Sequence, residues 1–158
     1  MGRLIAVLLC RAMTPEIELQ SGASPAFILA ILAVSDLARA RRFYTRALGW
    51  RVSVDTPAYV ELSSPHGMRL GLYIRGGFAK NTGAEPMTPP PAGTTATELY
   101  FHVEDVAAAL APLVAVGGRL LSGPAPRPWG DEVAYVADPD HNVLALARPI
   151  SPGACQQV

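Results

Sequence analysis

The stretch AVSDLARARRFYTRALGWRV, Ala33 to Val52, decides the fold because it occurs twice. Sixty-nine residues further on stands HVEDVAAALAPLVAVGGRLL, His102 to Leu121, and the two align without a gap: Val34 with Val103, Asp36 with Asp105, Gly49 with Gly118. Repetition at a fixed spacing marks a duplicated supersecondary unit. Each copy reads as a strand end followed by a helix. Asp36 and Asp105 suit a helix start, where a carboxylate accepts from free backbone N–H groups and faces the positive end of the dipole. Gly49 and Gly118 suit a left-handed cap at the other end. Leu37, Ala40, Phe43, Tyr44, Ala47 and Leu48 form one apolar face of the first helix, with Arg39, Arg42 and Arg46 turned to solvent.

A second matched pair extends the repeat. AYVELSSPHGMRLGLYI (Ala58 to Ile74) resembles VAYVADPDHNVLALA (Val133 to Ala147), with SPHG answering DPDH and Leu70-Gly71-Leu72 answering Leu144-Ala145-Leu146. Both are hairpins around turn-forming residues. With FILAILAV and TELYFHV as opening strands, each half reads strand, helix, three strands. The expected division is an N-terminal extension (1–26), a first module (27–75), a Pro/Gly-rich linker (76–95), a second module (96–149) and a tail (150–158). Pro86 to Pro91 cannot sit inside a sheet and belong to the linker.

Composition bounds the function. Of 158 residues, 50% are hydrophobic, enough for a sizeable core, and 13 basic residues balance 13 acidic ones, so no strong field favours nucleic acid or an anionic membrane. The apolar run after Arg3 is only Leu4 to Cys10 and is followed by no cleavage-site pattern; an extra edge strand, or a true start at Met13, is expected there. No segment reaches the roughly 18 to 20 apolar residues of a membrane span. Cys10 and Cys155 make no metal or redox spacing, which favours a reducing, cytoplasmic setting, although a disulfide between the tails stays open.

Taken together and in order, VSDLARARRFYTRALGW, FHVEDVAAAL, the paired glycines, PWG and DPDHN resemble the vicinal oxygen chelate superfamily, which includes glyoxalase I, extradiol dioxygenases, fosfomycin-inactivating enzymes and bleomycin-resistance proteins. The resemblance covers about residues 27 to 149. It implies an α+β fold of two βαβββ modules forming a cupped mixed sheet with helices on the outer face, a ligand cavity in the cup, and a homodimer.

Strand alternation selects the residues that face the cavity. In ELYFHV, Leu99, Phe101 and Val103 belong against the helix, which leaves Glu98, Tyr100 and His102 on the concave side. Leu70, Leu72 and Ile74 likewise leave Arg69, Gly71, Tyr73 and Arg75 there, while Val60 and Leu62 leave Tyr59 and Glu61. Tyr135 is the counterpart of Glu61. The candidate ligand-binding set is Glu61, Arg69, Tyr73, Glu98, Tyr100, His102, Trp129 and Tyr135, with Trp129 as a pocket wall and Trp50 as packing. A ring of tyrosines and a tryptophan suits a flat organic ligand.

The resemblance also implies four metal-ligand positions, which fall on Leu29, Gly71, Glu98 and Ala145. Only Glu98 can coordinate, and one carboxylate does not offset the dehydration of a divalent ion, so no metal or other cofactor is expected. His66 and His141 lie in turns. Glu98 and His102 are the candidate acid–base residues, though four residues along a strand separates them by roughly 13 Å; a pairing of Glu98 with Arg69 or Arg75 across the cup is the structural alternative. Three functions remain open at this point. One is a metal-free binder of a planar ligand, an antibiotic among the candidates. Another is a lyase, isomerase or dioxygenase-like enzyme using Glu98, His102 or a tyrosine, with or without a metal site rebuilt from Glu61, Glu98 and His102. The last is a structural or regulatory module.

Overall fold

The computed structural model describes residues 25–150. Cys10, Cys155 and the N-terminal extension up to residue 24, on which a strand and an alternative start were expected, lie outside the described residues. Eleven elements follow in order: β1 (Ala30–Val34), α1 (Leu37–Leu48), β2 (Arg51–Asp55), β3 (Tyr59–Ser63), β4 (Arg69–Ile74), α2 (Arg75–Thr82), β5 (Glu98–His102), α3 (Val106–Ala115), β6 (Arg119–Pro126), β7 (Asp131–Ala137) and β8 (Val143–Pro149). The fold is α+β, two βαβββ modules, each with a mixed four-stranded sheet, ordered β1-β4-β3-β2 and β5-β8-β7-β6. In both, the first strand runs parallel to the last and the hairpins are antiparallel.

Local chemistry sets the helix ends. Asp36 and Asp105 each accept from the backbone N–H three residues on, at 2.9 Å, and Gly49 closes α1 in the left-handed region at φ 64°. The second copy departs from the first. Pro112 stands inside α3, and the helix stops at Ala115 with Val116 as its cap. Gly118 is therefore not the left-handed cap that its alignment with Gly49 suggests. Gly117 carries the positive φ, and Gly118 lets β6 approach, since a side chain there would start 2.7 Å from the Leu113 carbonyl and from Val136.

One core serves both modules. Leu32, Val34, Phe43, Leu62 and Leu72 of the first share a cluster with Val106, Leu113, Val136, Leu144 and Leu146 of the second, while Leu99, Phe101 and Val103 pack against it as the alternation requires. Trp50 is part of this packing, edge-on to Phe101 at 6.1 Å between ring centroids. Polar contacts close the seam: Asp140 Oδ1 accepts from the Ser35 N–H at 2.8 Å and from its hydroxyl, and the buried Tyr44 hydroxyl donates to Asp138 Oδ2 at 2.6 Å. The DPDHN turn that delivers both aspartates needs a left-handed residue, and His141 supplies it at φ 70°.

The linker holds a helix that its composition does not announce. Gly76, Gly77 and Asn81 sit in α2, which begins at Arg75. Arg75 is thus not on the sheet face: its guanidinium donates to Thr88 Oγ1 and to the carbonyls of Pro86 and Met87, pinning the Pro-rich segment.

Candidate functional site

With one face of each sheet in the core, the polar side chains collect on the opposite faces. They form two groups, and among the described residues no hydrogen bond or ion pair joins one group to the other.

The first group centres on Glu61, which β3 places opposite Gly71. Its residue is 7% exposed, and its carboxylate is met on every side: Tyr59 Oη donates to Oε2 at 2.9 Å, Arg69 Nη1 to Oε1 at 3.2 Å and Ser53 Oγ to Oε1 at 3.3 Å. Arg69 therefore pairs with Glu61, not with Glu98. Desolvation first, and then the bond to Glu61, push the Tyr59 phenol up to about 12. Tyr73 stands edge-on to Tyr59 at 5.9 Å, and α2 lies over it: a side chain on Gly77 would start 2.6 Å from the Tyr73 ring, and Asn81 Nδ2 donates to its hydroxyl at 3.2 Å. The charge is neutralised and the aromatic surface covered, a structural arrangement more than a receptive one.

The second group is built by β5, β7 and the hairpin joining β6 to β7. Arg127 N–H donates to the Asp131 carbonyl at 2.7 Å and Gly130 N–H to the Arg127 carbonyl at 3.0 Å, a tight turn that requires Gly130 at φ 95° and carries Trp129 at its tip. Trp129 Nε1 donates to Tyr100 Oη at 3.2 Å, and Tyr100 Oη donates to Asp131 Oδ2 at 2.6 Å. The Tyr100 phenol is also pushed up to about 12, by desolvation and then by the bond to Asp131. Tyr100 and Trp129 remain 41% and 48% exposed, so their ring faces are open although their polar atoms are engaged. His102 stands edge-on to Tyr100 at 6.0 Å, and Arg127 lies over Tyr135 at 5.1 Å, above a small buried floor of Val133, Ala145 and Ala147.

Of the sequence-selected residues, Tyr100, His102, Trp129 and Tyr135 come together on this second face, and Glu61, Arg69 and Tyr73 on the first. Glu98 opens β5 opposite Val143 and is exposed, with no bond to His102. Asp131 and Arg127 escaped sequence reading; the one available signal was the PRPWGDE turn itself, whose fold over β5 depends on contacts 31 residues apart. Two recesses elsewhere, one beside α1 near Arg41, Asp55 and Pro57 and one at the module seam near Arg39, Arg119 and His141, are lined by neither group.

The positions where a metal is implied do not fit one. A side chain at Gly71 would start 2.7 Å from Tyr59 Oη and 3.0 Å from Ile31 Cγ1, so the space is already taken. Ala145 is buried beneath neighbouring apolar groups, and Leu29 offers no donor. Among the described residues no three His, Cys, Asp or Glu side chains converge.

Comparison with known proteins bears on this geometry. Residues 26–146 match the model of the glyoxalase/bleomycin resistance protein/dioxygenase superfamily. A glyoxalase-related enzyme from Fulvimarina pelagi superposes with a TM-score of 0.68 at 25% identity, over 78% of this chain and 88% of its own. A glyoxalase/bleomycin resistance protein/dioxygenase from Nocardioides gives 0.71 at 24% identity, over 87% and 93%. A protein from Agrobacterium tumefaciens solved by NMR gives 0.66 at 26% identity, over 80% and 99%. No curated protein sequence matches.

Proposed function

Since this chain belongs to the glyoxalase/bleomycin resistance protein/dioxygenase superfamily, we propose that it is a metal-free binder of a small planar organic molecule, an antibiotic among the candidates. The observation that carries the reading is the Trp129–Tyr100–Asp131 chain, which holds two aromatic rings half-exposed beside a buried carboxylate. Rings fixed by hydrogen bonds through their polar atoms present preorganised apolar surface, the most economical way to bind a flat ligand. His102 and Tyr135 flank that surface.

No helix among the described residues is long and apolar enough to cross a membrane, and the reading places the protein in the cytoplasm. It includes a homodimer, supported by apolar side chains left open on the strands: Ile31 and Leu120 are 45% and 50% exposed. Light scattering at high micromolar concentration is expected to give twice the 16.7 kDa chain mass; the monomer mass overturns the dimer.

A tryptophan-fluorescence screen against planar antibiotics and natural aromatics tests the binding reading. Saturable quenching is expected, and it should be lost in Trp129→Ala but kept in Trp50→Phe. Quenching that follows Trp50 instead rejects the assigned face.

A further inference from the structure

The two outward faces differ in how they treat their buried carboxylate. Glu61 has a guanidinium at 3.2 Å. Asp131, 8% exposed, receives a bond from the neutral Tyr100 hydroxyl, and no cation lies within ion-pair distance of it among the described residues. Of the nearby arginines, Arg127 lies over Tyr135 and donates to Ser122 Oγ at 3.1 Å with its Nε left unpartnered, while Arg148 on β8 pairs with Glu132 at 2.7 Å, and neither reaches the Asp131 carboxylate. Unpaired with a cation among the described residues, the Asp131 carboxylate is free to pair with a positive group brought by a ligand. Its partners reinforce its pull on a positive charge. The Tyr100 proton points at Asp131 and the phenol oxygen accepts from the Trp129 N–H, so neither polar hydrogen is left to meet a ligand. What remains for a ligand is electron-rich ring face, which attracts cations. Glu98 stands on the same side of β5, two residues before Tyr100, and adds a second, exposed negative charge.

We propose that this face selects ligands carrying a positively charged nitrogen within or beside a flat ring, with Asp131 as the counter-charge and Tyr100 and Trp129 as the aromatic walls. The proposal rests on the ligand-binding reading above and names the class of ligand. A neutral net charge for the whole chain does not oppose it, because the selecting field is local and held in a partly desolvated site.

Three probes with one ring system separate the charge assignment from the binding reading: 1-methylquinolinium, with a fixed positive charge, neutral quinoline, and quinoline-2-carboxylate. Titration calorimetry at low salt is expected to show the cation binding about tenfold more tightly than quinoline and the carboxylate more weakly than either. Asp131→Asn should abolish the preference for the cation, so that the variant binds 1-methylquinolinium no more tightly than it binds quinoline, with circular dichroism confirming the fold. Tyr100→Phe, which keeps the ring and releases Asp131, should retain the preference and so guards against a fold defect in the first variant. Quinoline bound as well as the cation, or a cation preference that survives Asp131→Asn, overturns the charge assignment and leaves the binding reading standing. No saturable binding of any of the three overturns both.

Discussion

Set side by side, the two modules show what duplication permits. Both place a tyrosine–carboxylate bond on the face away from the core, Tyr59 to Glu61 in the first and Tyr100 to Asp131 in the second. In the first, Arg69 neutralises the carboxylate and α2 seals the neighbouring Tyr73. In the second, Trp129 reaches across as a hydrogen-bond donor and leaves ring surface open. The lesson is that equal folds do not make equal surfaces: one repeat pairs its carboxylate with a cation and covers the neighbouring ring, and the other leaves its carboxylate without a cation among the described residues and its rings half-exposed.

The core should ignore this difference, which gives the largest expected effects. Leu72 and Leu146 occupy matching positions on β4 and β8, both within the shared cluster. Leu72→Ala and Leu146→Ala should each cost about 2 to 5 kcal/mol in urea unfolding, within a single transition. Two separated transitions, or a small effect in one module alone, would break the picture of one common core.

The carboxylates should respond unequally, and by less. Glu61→Gln strips the counter-charge from half-buried Arg69 and weakens two hydroxyl bonds, for an expected loss of about 1 to 3 kcal/mol. Asp131→Asn strands no cation and keeps an acceptor for Tyr100, so its stability change should stay below about 1 kcal/mol. The reverse order, measured by thermal or urea melts, would mean that the second face is the structural one.

Alkali should treat the modules alike. Tyr59 and Tyr100, both at about 12, stay protonated while the unfolded chain ionises near an ordinary phenol value of about 10. Their contribution is complete below pH 10 and is lost as pH climbs from about 10 to about 12. Tyr44, raised well above the ordinary phenol value by burial and then by Asp138, acts in the same sense. An absorbance titration should show a late step near pH 12 that shrinks equally in Tyr59→Phe and Tyr100→Phe; early ionisation of either one would deny its bond to a carboxylate.

Much of this was legible in the residues. The two-residue period of Glu98 to Val103 assigned each side chain to a face correctly because one face must be apolar, and a single-residue slip would invert the whole strand. The N-caps were equally plain, since a capping aspartate acts within one turn. Three things were not. Helix α2 has no buried residue and two adjacent glycines, so it gives no apolar period to detect. Arg69 finds Glu61 across a β-hairpin, a matter of register and not of spacing along one strand. Asp131 reaches Tyr100 only because the β6–β7 turn folds back over β5, and register shifts in β6 make that path unreadable from alternation.

The seam between the modules has a consequence for how the chain comes into being. Tyr44 meets Asp138 94 residues later, and Ser35 meets Asp140 105 residues later. A chain made from its N-terminus completes the first module well before these partners exist, with Phe43 and Trp50 lacking the second half of their packing. Contacts of such long sequence separation form late and slow the reaction. On the ribosome the first module is therefore an unfinished half, exposed to association with other nascent chains until the DPDHN turn emerges and closes it.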